Sequence, residues 1–93
     1  MQRASLPDQE WSAFVVELER NLQRARIARG MSQEHVAYAA GLSRYTYQKY
    51  EKGESRPGTA ANPSLKVLLT VAQALGIPLQ ELLPAVLPDL RAR

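Results

Sequence analysis

Cysteine is absent from this 93-residue chain, and histidine occurs once. Without cysteine there is no disulfide, no thiolate zinc site and no thiol nucleophile, and the composition suits a reducing cytoplasm. A lone histidine, His35, makes neither a metal site nor a catalytic triad, and reads as a surface residue. The carboxylates, Glu51 apart, are scattered over helix faces and ends, so no acid–base pair is legible and an enzyme is the weakest reading. No metal and no cofactor is implied. No apolar run approaches the ~20 residues of a membrane span. The N-terminal MQRASLPDQEW lacks the apolar core of a signal peptide. No stretch alternates β-branched with polar residues, so nothing reads as a strand. There is no internal repeat and no low-complexity tract.

What is there is ordinary for one small globular domain. Hydrophobic residues make up 45% of the chain, enough for a core but, at this length, a modest one. The start methionine and full core suggest a whole protein. The net charge of +3 is mild, but its distribution is not even. Arg44, Lys49, Lys52 and Arg56 fall close together against Glu51 and Glu54. If Glu51 is occupied internally, that surface is clearly positive.

The most informative stretch is Ser32 to Gly53, SQEHVAYAAGLSRYTYQKYEKG. Ser32 is a good N-cap, because its hydroxyl can accept from an exposed amide of the first turn. Val36, Ala37 and Ala40 recur at helical spacing on one face. Gly41 closes this helix in a left-handed conformation that glycine adopts cheaply, and Leu42 packs inward. Ser43 caps a second helix that starts at Arg44, buries Tyr47 and Tyr50, and ends at Gly53. A link this short favours the steep crossing of a helix-turn-helix unit over antiparallel packing.

Taken together, Gln33, Ala37, Gly41, Leu42 and the ending Tyr50-Glu51-Lys52-Gly53 resemble the phage-repressor-like (Cro/Xre-type) helix-turn-helix DNA-binding domains. The resemblance runs from about Leu18 to Leu83. It implies an all-α, five-helix, lambda-repressor-like fold, here with an extended first helix. It implies sequence-specific binding of double-stranded DNA and regulation of transcription, most often repression, by a homodimer on a palindromic operator in the cytoplasm. Residues 44–52 become the recognition helix, whose first residues reach base edges in the major groove. Helical geometry turns Arg44, Tyr45 and Lys49 to that groove with Gln48 at its edge, and Tyr47 and Tyr50 to the core. Arg44 suits a guanine, Gln48 an adenine. Gln33 stands where the family contacts phosphate, with Thr46 and Lys52 as further phosphate candidates. Arg26 and Glu51 match a structural ion pair that ties the first helix to the end of the recognition helix. Two positions depart from the pattern. His35 stands where an acid usually completes the capping box, and Tyr47 replaces an aliphatic residue, so its hydroxyl needs a buried partner.

Along the rest of the chain, residues 1–6 read as a loose tail and residues 7–84 as the DNA-binding domain. Pro7 and Asp8 open a long helix to Arg29, with Trp11, Val15, Leu18, Leu22 and Ala25 as its apolar stripe and Phe14 beside it. Gly53 to Pro63 reads as a loop, longer than the family's, in which Arg56 either touches phosphate or is solvated. Ser64 caps a helix over Leu65–Leu75 with a buried stripe of Leu65, Leu68, Leu69, Ala72 and Leu75. A short last helix covers Leu79–Leu83. The 85–93 tail is apolar at Val86, Leu87 and Leu90, which either cover Trp11 and Phe14 in the same chain or, with them, meet a second subunit or another protein. The alternative function is an antitoxin-like interaction module that also controls its own promoter.

Overall fold

A computed structural model describes residues 5–91, with side chains from residue 8 onward. Its elements in chain order are α1 (Ser5–Ala28), α2 (Gln33–Ala39), α3 (Arg44–Lys52), β1 (Glu54–Arg56), β2 (Thr59–Ala60) and α4 (Leu65–Leu75), then a 3-10 turn at Leu79–Glu81.

Local chemistry sets most of these boundaries. Ser32, Ser43 and Ser64 each accept a hydrogen bond from the backbone amide three residues on, at His35, Thr46 and Val67, each cap worth about 1 kcal/mol. At the other end of α3, Gly53 adopts φ +79° and donates to the carbonyl of Lys49. Gly41 turns the chain between α2 and α3 at φ +71°.

Most of the core is one cluster, with Val15 and Ala61 buried outside it. Leu18 and Leu22 of α1, Val36 and Ala37 of α2, Tyr47 of α3 and Val71, Ala72 and Leu75 of α4 meet there, closed below by Leu82. Asn21 reaches across from α1 to donate to the carbonyl of Leu82 at 2.9 Å. Burial of these apolar side chains is the main stabilising term, each worth roughly 1.5–3 kcal/mol for the larger ones.

Several expectations need correction. The described residues hold four α-helices and a 3-10 turn rather than five helices. Two prolines, Pro78 and Pro84, leave the segment between them too short for an α-helix. The 53–63 loop contains an antiparallel hairpin, with Glu54 opposite Ala60 and Arg56 opposite Thr59. Pro57-Gly58 makes its turn, Gly58 at φ +80°, as a type II turn requires. Ser5 and Leu6 belong to α1; the rest of the expected 1–6 tail lies outside the described residues, as do residues 92 and 93. In α4, Ala72 and Leu75 are buried as expected and Leu68 packs on the core, but Leu65 and Leu69 are exposed at 65% and 41%, and Val71 is buried in their place. The 84–91 segment is irregular and folds back on α1, where the Asp89 amide donates to Glu10 Oε1 at 2.6 Å.

Candidate nucleic-acid interface

The inner face of α3 is fixed by one carboxylate. Glu51 is only 3% exposed. The Arg26 guanidinium of α1 grips it at both oxygens, Nε to Oε2 at 2.6 Å and Nη2 to Oε1 at 3.1 Å. Tyr47, one turn earlier on α3, donates its hydroxyl to Oε2 at 2.5 Å, and Gln33 of α2 donates Nε2 to Oε1 at 3.0 Å. Four donors thus saturate an ionised carboxyl, which offers about four acceptor sites. Burial by itself would raise the Glu51 pKa. The hydrogen bonds from Arg26, Tyr47 and Gln33 outweigh it and hold the group below the ordinary carboxylate range. Burial, followed by the bond to Glu51, pushes the Tyr47 phenol well up. The bond to Glu51 raises Arg26 further.

This constellation joins three helices at one point. Arg26 also donates to the Met31 carbonyl at 3.0 Å, and Gln23 to the main-chain oxygen of Glu51 at 2.9 Å. The orientation of α3 is therefore set by polar geometry as well as by apolar packing.

The outer face of α3 carries the residues expected to meet DNA. Arg44 and Lys52 are exposed, and Gln48 and Lys49 half-exposed. Tyr45 is 70% exposed. Lys49 Nζ sits 4.8 Å from the centre of the Tyr45 ring, a cation–π contact one helical turn apart. Among the described residues, none of Arg44, Lys49, Lys52 and Arg56 is in an ion pair. Gln48 donates Nε2 to Gln33 Oε1 at 3.1 Å, so both glutamines belong to one chain of hydrogen bonds ending on Glu51. Thr46 is tied to its own helix start, where Ser43 Oγ donates to Thr46 Oγ1 at 2.9 Å. Arg56 stands on β1 and lines a cleft of about 160 Å³ with Tyr45, Lys49 and Lys52.

The other residues singled out from the sequence lie apart from this face. Trp11 stacks on Phe14 with centroids 5.5 Å apart and donates its indole N–H to the Ala61 carbonyl at 3.0 Å. Phe14 lines a second groove with Ala13, Pro84, Val86 and Leu87. Val86, Leu87 and Leu90 remain 83%, 69% and 48% exposed, so the tail lies beside α1 without being buried there. His35 is exposed.

Sequence reasoning missed the Tyr47–Glu51 and Tyr45–Lys49 contacts, although both are i, i+4 pairs on a helix that was legible. It also missed the Trp11–Ala61 bond, for which the sequence carries no signal.

Comparison with known proteins agrees with this geometry. The helix-turn-helix family model matches residues 22–82. The chain is 36% identical to the restriction-modification controller protein C.AhdI from Aeromonas hydrophila, whose crystal structure superposes with a TM-score of 0.66, covering 75% of this chain and 97% of that one. No curated protein matches the chain. The protein belongs to the helix-turn-helix family, of the Cro/Xre-like kind. It is a DNA-binding transcriptional regulator.

Proposed function

We propose that the protein binds a palindromic operator as a homodimer in the cytoplasm, on chromosomal or mobile-element DNA, with α3 in the major groove, and represses the promoter it covers. The observation that carries this reading is the two-sidedness of α3. Its inner face is locked by Glu51 and Tyr47, and its outer face presents Arg44, Tyr45, Gln48 and Lys49, none of them in an ion pair among the described residues. A fixed helix with exposed donors facing outward is what base reading requires.

Arg44 takes a guanine edge with its forked donors. Gln48, oriented by Gln33, addresses an adenine, and Tyr45 packs on a thymine methyl. Lys49 adds a less selective donor. Gln33, Thr46, Lys52 and Arg56 hold phosphates and set the register of the helix. Phe14, Val86, Leu87 and Leu90 supply the dimer surface, with Trp11 behind Phe14. The protein performs no catalysis. The similarity to a restriction-modification controller protein supports control of a promoter as the task.

The same apolar surface favours a second reading, in which it holds a different protein and the helix-turn-helix regulates the module's own promoter. The exposure of Val86 and Leu87 beside Phe14 is its support, and co-purification separates it from plain repression.

Selection of duplexes from a random pool, followed by binding at several salt concentrations, tests the main reading. A two-fold symmetric site and a steep fall of affinity with salt are expected. Failure to enrich any sequence, with weak binding even at low salt, would overturn it.

A further inference from the structure

Trp11 lies outside the segment that defines the family, which begins at residue 22. Yet it makes the one side-chain hydrogen bond, among the described residues, that reaches the hairpin base from α1. Its indole N–H donates to the Ala61 carbonyl at 3.0 Å, across 50 residues of sequence. Ala61 is 2% exposed, and its own amide donates to the Gly53 carbonyl at 2.9 Å. Gly53 ends α3. The chain of bonds therefore runs from Trp11 through Ala61 to Gly53, the C-cap of the recognition helix, and closes the hairpin at its base.

What the hairpin does follows from where it stands. With α3 it forms a cleft lined by Tyr45, Gln48, Lys49, Lys52 and Arg56. Three of these are cations, and Glu54 is the one acid in the lining. Among the described residues none of the three cations is in an ion pair. Such a cleft fits a polyanion, and it opens on the same side as the exposed residues of α3. A hairpin this short, with so few ladder bonds, is only marginally stable by itself. Its position must be imposed by its neighbours, α3 on one side and, through the bond from Trp11 to Ala61, α1 on the other.

We infer that Trp11 is a positioning residue for DNA binding: it touches no DNA, but holds the hairpin so that Arg56 faces the phosphate backbone of the duplex read by α3. This rests on the DNA-reading function proposed above. It adds that the extra N-terminal turns of α1 serve the DNA face, and do not serve only the core or a subunit contact.

The test is a double-mutant cycle on the full chain, using Trp11→Phe, which keeps an aromatic ring and loses the N–H, with Arg56→Ala and the double variant. Binding is read by fluorescence anisotropy on the duplex enriched from the random pool and on single base-pair variants of it. Each single substitution should weaken binding about fivefold at low salt, the scale of one lost hydrogen bond or phosphate contact. The double variant should be no weaker than the weaker single. The preference among base-pair variants should stay unchanged, and the salt slope should fall by about one in both single variants. Amide hydrogen exchange supplies a second readout. Exchange at Ala61 should accelerate in Trp11→Phe while exchange at Leu22 and Tyr47 does not.

Unchanged affinity in Trp11→Phe, or losses that multiply in the double variant, would overturn the inference while leaving DNA reading intact. Exchange that accelerates equally everywhere would reduce Trp11 to a general stabiliser and also overturn it. A wild-type protein that binds no duplex, or that enriches no sequence from the pool, would instead strike the DNA-reading function itself.

Discussion

Arg26 and Glu51 form a two-point ion pair between α1 and the last turn of α3, with the Arg26 side chain 17% and that of Glu51 3% exposed. The pair does more than join two helices. Because Tyr47 and Gln33 share the same carboxylate, α2 and the inner face of α3 are fixed by it too. Removing the carboxylate leaves a guanidinium and a buried phenol without their partner. Glu51→Ala is expected to cost about 3 kcal/mol, since breaking a buried pair from one side is strongly destabilising. Thermal or urea unfolding measures it, and an unchanged melting temperature contradicts this account of how α3 is held.

The same group makes stability depend on pH. The folded pKa of Glu51 lies below the ordinary value, so folding favours its ionised form. That contribution is fully present above the ordinary carboxylate pKa of about 4.3. It is lost as pH falls through the lowered folded value. The Tyr47 phenol is shifted upward, so its contribution is complete below the ordinary tyrosine pKa of about 10 and fades as pH rises beyond it. Urea unfolding across pH should therefore show loss at both extremes. Glu51→Gln should flatten the acid limb, and Tyr47→Phe the alkaline one.

Gly53 is where the recognition helix ends and the hairpin begins. Its φ is +79°, and an added Cβ would meet Glu19 Oε2 at 2.6 Å. The Glu19 side chain is flexible and can move aside, but the left-handed backbone remains. Gly53→Ala is expected to destabilise by roughly 1–2 kcal/mol and to loosen the hairpin base through the Ala61 amide. Unfolding measurements read the first effect and hydrogen exchange at Ala61 the second. Gly58 also has positive φ, at +80°, with nothing within 4 Å of an added Cβ, so Gly58→Ala should carry the backbone strain alone, again roughly 1–2 kcal/mol.

The exposed apolar tail predicts association. Val86→Asp with Leu87→Asp should shift a dimer towards monomer in sedimentation velocity at micromolar concentration, since each loses an apolar side chain worth about 1 kcal/mol or more at an interface. A wild-type chain that sediments as a monomer would contradict the proposed dimer, and a dimer that the double substitution leaves unchanged would contradict its placement on the tail. The exposed Leu65 and Leu69 of α4 are the next face to alter.

How much of this was legible in the sequence depended on how local the signal was. The serine caps and the glycines at 41 and 53 mark α2 and α3 within a few residues, because capping is decided by neighbours in the chain. The hairpin was not legible, since ESRPGTAA has almost no strand propensity. It is held instead by two positive-φ glycines and by Trp11, a contact across 50 residues. The buried face of α4 was misread in part because LKVLLTVAQAL is apolar almost all round, so periodicity alone did not choose between Leu69 and Val71. At the site, the outward residues of α3 follow from helical geometry. The engagement of Gln33 and Gln48 with each other does not, since it depends on the crossing of two helices.

The most direct measurement is the sequence preference of Arg44→Ala. The operator enriched by wild type would be varied one base pair at a time, and binding of both proteins measured by anisotropy at fixed salt. The account predicts that the variant loses about 1–3 kcal/mol on the best site. It should lose discrimination at one position in each half-site and keep the wild-type preference elsewhere. A uniform loss across all sites, with the full preference retained, would show that Arg44 holds phosphate, and would contradict the placement of the start of α3 against base edges.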